Sequence, residues 1–122
     1  MNAPCPFCGT TAELFGNTLA FVIRDRYPAS LGHTLILPRR HVADWFDTTP
    51  EERQAIFALA DEAKRRLDAE LHPDGYNLGI NVGAWAGQTV FHVHLHLIPR
   101  YRGDVTEPRG GVRAVIPGKQ HD

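Results

Sequence analysis

The chain has 122 residues, 43% of them hydrophobic, 9% aromatic and 22% charged, enough for one compact domain with one core and too few for two. Thirteen Lys and Arg against 14 Asp and Glu leave a formal charge of -1, which argues against a basic nucleic-acid surface or a polybasic membrane patch. No apolar run approaches the ~18 to 20 residues of a membrane span, and the start Met-Asn-Ala-Pro-Cys has no charged or apolar region of a signal peptide. A soluble, cytoplasmic chain is therefore expected, and seven histidines against two cysteines and one methionine are its oddity.

In chain order, Cys5 and Cys8 come first, as Cys-Pro-Phe-Cys. A reducing compartment disfavours a structural disulfide. Three readings stay open: a redox pair, two inert thiols, or half of a zinc site that histidines would complete. Leu19 to Ile23 reads as a short strand, and Thr34 to Leu37 as another, stopped by Pro38. The polar stretch Arg24 to Gly32 between them carries Pro28 and Gly32 as turn residues. The clearest helix starts at Thr49-Pro50-Glu51-Glu52, with Thr49 as N-cap, Pro50 in the first turn and Glu52 completing a capping box. Ile56, Leu59, Ala60, Ala63 and Leu67 recur at helical spacing, and Pro73 ends the run near Leu71. Tyr76 to Val82 and Val90 to Ile98 are two further strands, joined by Gly83-Ala84-Trp85-Ala86-Gly87-Gln88-Thr89 as a long-loop hairpin. Several strands and one main helix predict an α+β domain with an antiparallel sheet.

The segment Phe91-His92-Val93-His94-Leu95-His96-Leu97-Ile98 carries the chemistry. Strand alternation puts Phe91, Val93, Leu95 and Leu97 on one face and His92, His94 and His96 on the other, about 6.6 Å apart. Such a row serves either as metal ligands or as a nucleophilic imidazole with neighbours that orient it and handle protons. The adjoining loop favours the second use. Gly83 and Gly87 let backbone N–H groups approach an anion, and Gln88 and Thr89 add side-chain donors.

Gly87-Gln88-Thr89-Val90-Phe91-His92-Val93-His94-Leu95-His96-Leu97-Ile98 resembles the signature of the histidine triad (HIT) family. Asp25, Gly32-His33-Thr34-Leu35-Ile36-Leu37-Pro38, His41 and Asn81 extend the likeness, which covers roughly residues 5 to 100 of a single domain and leaves 101 to 122 as a tail. The resemblance implies a small α+β homodimer that binds a nucleotide and hydrolyses or transfers at its α-phosphate. It implies His94 as nucleophile, His96 as phosphate contact and proton donor, and His33 in support, with His92 completing the row. Asn81, Gly87, Gln88 and Thr89 would hold phosphate oxygens, and Asp25 the ribose hydroxyls. It also implies a structural zinc on Cys5, Cys8, His41 and His92. Two other readings stand beside it: a metal-dependent hydrolase using the histidine row, and a nucleotide-binding module without catalysis. Dinucleoside polyphosphates, phosphoramidates and adenylylated amines would share the same grip. The tail, through Arg109 and Arg113, is expected to reach far phosphates or a partner subunit.

Overall fold

A computed structural model describes residues 4–121. Strands β1 (Phe15–Gly16), β2 (Ala20–Arg24), β3 (Thr34–Pro38), β4 (Gly75–Gly79) and β5 (Leu95–Arg100) form one antiparallel sheet in the order β1-β2-β3-β5-β4. Helix α1 (Pro50–Leu71) lies on one face. The α+β class and the β4–β5 hairpin are as the sequence predicts. The two-residue β1 is additional, and a short 3-10 helix, Gly111–Val115, lies in the tail.

The helix start shows the predicted capping box. Thr49 Oγ1 accepts from the Glu52 N–H at 3.0 Å, and Glu52 Oε1 accepts from the Thr49 N–H at 2.9 Å. Arg40 closes on the same carboxylate at 2.8 Å and holds it below the usual carboxylate range, although Glu52 is buried. At the other end His72 adopts a left-handed conformation at the C-cap, one residue before Pro73.

The sheet has two unlike faces because side chains alternate along each strand. Ala20, Val22, Ile36, Leu95 and Leu97 meet Ile56, Leu59, Ala60, Ala63 and Leu67 of α1 and make the main core. Phe21, Ile23, Leu35 and Leu37 point the opposite way and are covered by Phe7 from the N-terminal arm. Register places His96 opposite Leu35 and Leu95 opposite Ile36, so His96 shares the Phe7 side of the sheet. Gly32, at φ +87, brings the chain from β2 back to β3. A Cβ there would lie 2.7 Å from Leu71 Cδ1 and 3.0 Å from Leu67 Cδ2 and would push those side-chain ends aside, while the left-handed conformation is what requires glycine.

The expected continuous strand from Val90 to Ile98 needs correction. Ordered ladder begins only at Leu95, Phe91 is 48% exposed and not in the core, and His92 is completely buried. The ladder stops because β3 runs into Pro38, which has no N–H to donate. Its carbonyl accepts instead from the His92 ring, Nε2 to O 2.8 Å. Only His94 and His96 border the open side of the sheet; His92 turns to the N-terminal arm.

Thr49→Ala removes one half of the capping box while leaving the core intact. It should cost about 1 kcal/mol, read as a lower urea midpoint with an unchanged slope.

Candidate functional site

The site is assembled where three chain segments converge. Asp25 follows the end of β2, His33 precedes the start of β3, and His96 sits on β5 opposite Leu35. The loop between Asp25 and His33 is pinned at several points. Asp25 N–H donates to the His33 carbonyl at 2.9 Å, Ser30 Oγ to the Pro99 carbonyl at 2.6 Å, and Tyr101 OH to the Leu31 carbonyl at 2.7 Å. Tyr27 N–H donates to Asp25 Oδ1 at 2.8 Å and fixes the carboxylate.

Backbone groups set the protonation of each ring. A backbone N–H only donates, so the Ala29 N–H, 2.9 Å from His33 Nδ1, makes that nitrogen the lone-pair side and puts the ring hydrogen on Nε2. His33 Nε2 lies 3.0 Å from His96 Nδ1 and 3.5 Å from Asp25 Oδ2. His96 Nδ1 therefore accepts, and its own hydrogen is on Nε2. His94 is held the opposite way. Its Nδ1 is 2.8 Å from the His92 carbonyl, which only accepts, so the hydrogen is on Nδ1 and the lone pair on Nε2. Two adjacent rings, with centroids 4.9 Å apart, thus present unlike nitrogens: one basic, one acidic. Asp25, His33 and His96 lie close enough to suggest a second metal cluster. Both His33 nitrogens are already engaged, which favours a chain of proton donors over a ligand set.

Cys5, Cys8, His41 and His92 form the other cluster, with ligand atoms all within 4.8 Å of one another. Cys5 Sγ is 3.5 Å and Cys8 Sγ 3.7 Å from His92 Nδ1, and Cys8 Sγ is 3.3 Å from His41 Nδ1. Metal bonds of ~2.3 Å to sulfur and ~2.0 Å to nitrogen at tetrahedral angles give a sulfur-to-nitrogen edge of about 3.5 Å. The four residues fit a closed zinc site. With Nε2–H donating to Pro38, His92 offers Nδ1 as its lone pair, the arrangement a ligating imidazole needs.

A cavity of about 820 Å³ opens beside His94 and His96. Of the residues singled out from sequence, Asp25, Asn81, Gly87, Thr89, His94 and His96 border it, and His33 stands behind His96. Gln88 does not reach it. Its Nε2 donates to the Ala43 carbonyl at 2.8 Å and the Val90 carbonyl at 3.2 Å, and its Oε1 accepts from the Gly83 N–H at 2.8 Å. A buried amide so fully paired braces the loop and has no donor left for a phosphate. Arg109 and Arg113 do not border the cavity either; Arg113 Nε donates to the Lys119 carbonyl within the tail itself. Residues that went unnoticed are Pro6, Phe7, Thr10 and Ala12 of the arm, and Arg26 and Tyr27 after Asp25. An aromatic enclosed between two cysteines was the available signal for Phe7.

The HIT domain profile matches residues 10–103. The chain belongs to the HIT domain family. It is 38% identical over 106 residues to a 16.1 kDa HIT-like protein of Mycoplasma pneumoniae, spanning 82% of this chain and 74% of that one. A zinc-bound histidine triad protein of Mycobacterium smegmatis superposes with a TM-score of 0.71 at 38% identity, covering 79% of this chain and 70% of the other. An AP-4-A phosphorylase of Mycobacterium tuberculosis is 33% identical over 87 residues, 70% of this chain and 45% of its own. No helix among the described residues is long and apolar enough to cross a membrane.

Burial is the main cause that pushes the HIT histidines His33 and His92 below the ordinary imidazole range, and it drives His96, with like-charge neighbours His94 and His33, down to about 4. The unfolded chain regains the ordinary value of 6.5. Between those values the unfolded state binds more protons, so stability rises with pH across that window and is lost as pH falls through it. The melting temperature should drop on acidification from pH 6.5 to 4, and His96→Asn should flatten that slope. An equally steep slope in the variant would remove His96 as its source.

Proposed function

We propose that this HIT chain is a nucleotide hydrolase or transferase that acts at the α-phosphate of a nucleotide conjugate through His94. The observation that carries this reading is the opposite protonation of His94 and His96 on one cavity wall. His94 Nε2 attacks phosphorus and forms an N–P bond while the bond to the leaving group breaks. His96 Nε2–H donates a hydrogen bond to the leaving-group oxygen, which departs with the electron pair of the broken bond and takes its proton from solvent. Water then attacks the nucleotidyl-histidine, its proton passes to solvent, and the N–P bond breaks with its electron pair returning to His94 Nε2. Covalent catalysis divides one displacement into two easier ones. The Asp25–His33–His96 contacts keep that N–H aligned through both.

Asp25 accepts hydrogen bonds from the ribose hydroxyls, and Asn81, Thr89 and the Gly87 backbone donate to phosphate oxygens, where charge develops in the transition state. Gln88 serves by holding the shape of that loop. The M. tuberculosis relative, named for AP-4-A, supports a dinucleoside polyphosphate as one substrate class, with phosphoramidates and adenylylated amines sharing the same grip. Cys5, Cys8, His41 and His92 hold a structural zinc. This is supported by their donor set, their spacing and the zinc-bound neighbour. The chain works as a homodimer, for which the open outer edge of β4 and the exposed Leu78 offer a surface.

His94→Ala should abolish turnover of a dinucleoside polyphosphate and of a phosphoramidate, and mass spectrometry of quenched wild type should show a nucleotidyl group on His94. His94→Gly should recover part of the turnover with added imidazole. Undiminished turnover in the alanine variant would sink the mechanism. Metal analysis should find about one zinc per chain, lost in the Cys5→Ser, Cys8→Ser double variant while the helical circular dichroism persists.

A further inference from the structure

The N-terminal arm belongs to both clusters at once. Cys5 and Cys8 place their Sγ atoms against His92 and His41, while Pro6, Phe7, Thr10 and Ala12 border the cavity. Phe7 is the link. Its ring stands edge-on to His92 and His94, with centroids 5.9 and 5.2 Å away, and it covers the Phe21, Ile23, Leu35 and Leu37 face of the sheet. Little else fastens this segment. Apart from the sulfur contacts, the hydrogen bonds that residues 4–12 make among the described residues are local, Thr10 N–H to the Phe7 carbonyl and Ala12 N–H to Thr10 Oγ1. The first bond to the sheet is Leu14 N–H to the Val22 carbonyl at 2.8 Å.

An arm without ladder bonds gains conformational entropy by leaving, and the packing of Phe7 and the hold of the two cysteines together oppose it. Pro6 fixes φ between Cys5 and Phe7, so the position of one restricts the other. We propose that the Cys5–Cys8 clamp is a positioning device for the nucleotide cavity: metal occupancy holds Phe7 as a cavity wall and thereby sets nucleotide affinity. This rests on the nucleotide and zinc readings above. It adds that the zinc site governs ligand binding at a distance from the phosphorus chemistry. His92 does not transmit the change: its ring is completely buried and bonded to the Pro38 carbonyl, so it stays in place when the cysteines let go.

The test measures AMP binding by calorimetry on zinc-loaded and chelator-stripped protein, in wild type, Phe7→Ala and Phe7→Leu, with zinc content and circular dichroism recorded for each. Hydrogen exchange of residues 4–12 is followed alongside. Stripping wild type should weaken AMP binding about five- to tenfold, the scale of one aromatic contact, and speed exchange in the arm. Phe7→Ala should bind about as weakly when loaded and lose nothing more on stripping, and Phe7→Leu should fall between. Stripped wild type that binds AMP as tightly as loaded protein would overturn the proposal, as would a Phe7→Ala variant that loses as much on stripping as wild type. Failure of loaded wild type to bind AMP would instead remove the nucleotide reading. The exchange data then decide the clamp alone, and unchanged exchange in the arm on stripping would refute it.

Discussion

A proline at the end of an inner strand leaves its neighbour without a donor, and the geometry around Pro38 follows from that shortage. The β3–β5 ladder cannot continue past it, so the chain before Leu95 is free to turn, and the Pro38 carbonyl is claimed by the His92 ring. That bond aims Nδ1 of His92 at the cysteines and leaves the His92 carbonyl facing His94. One missing amide hydrogen thereby divides three evenly spaced histidines between two tasks.

The two faces of the sheet carry unequal burdens. The α1 face buries a contiguous aliphatic cluster and a helix fixed by its capping box, and it supplies most of the apolar burial that keeps the fold. The opposite face holds Phe21, Ile23, Leu35 and Leu37 under a thin cover of Phe7, with neutral imidazoles held in partial burial beside them. The proposed chemistry belongs where the cover is thin, because a cavity of about 820 Å³ and a packed second layer cannot occupy the same side.

The fold was largely legible in the sequence because its signals are local. The Thr49–Glu52 box, the Ile56 to Leu67 spacing and the stop before Pro73 locate α1 from Pro50 to near Leu71, where it lies. The convergence of Asp25, Asn81, Thr89, His94 and His96 on one cavity was also legible, through motif likeness more than through periodicity. Strand alternation failed at Phe91 and His92 because it assumes a partner strand, and Pro38 removes that partner. Gln88 was misjudged as a phosphate donor because residue type does not reveal which carbonyls, here Ala43 and Val90, stand within reach. Phe7 was missed for the same reason. Its importance lies in what lies beneath it, 14 or more residues away in the chain, and not in its own neighbours.

The rings of His33, His92 and His94 are each oriented by a backbone group: the Ala29 N–H, the Pro38 carbonyl and the His92 carbonyl. Those groups persist whatever side chain is attached to their residues. Replacing side chains one at a time would therefore report the imidazoles as essential and leave the atoms that give them their roles unseen. Evolution faces the same blindness. At Ala29, whose side chain has no part in the site, the residue can change while the polarity of the His33 ring is inherited intact, carried by the path of the chain.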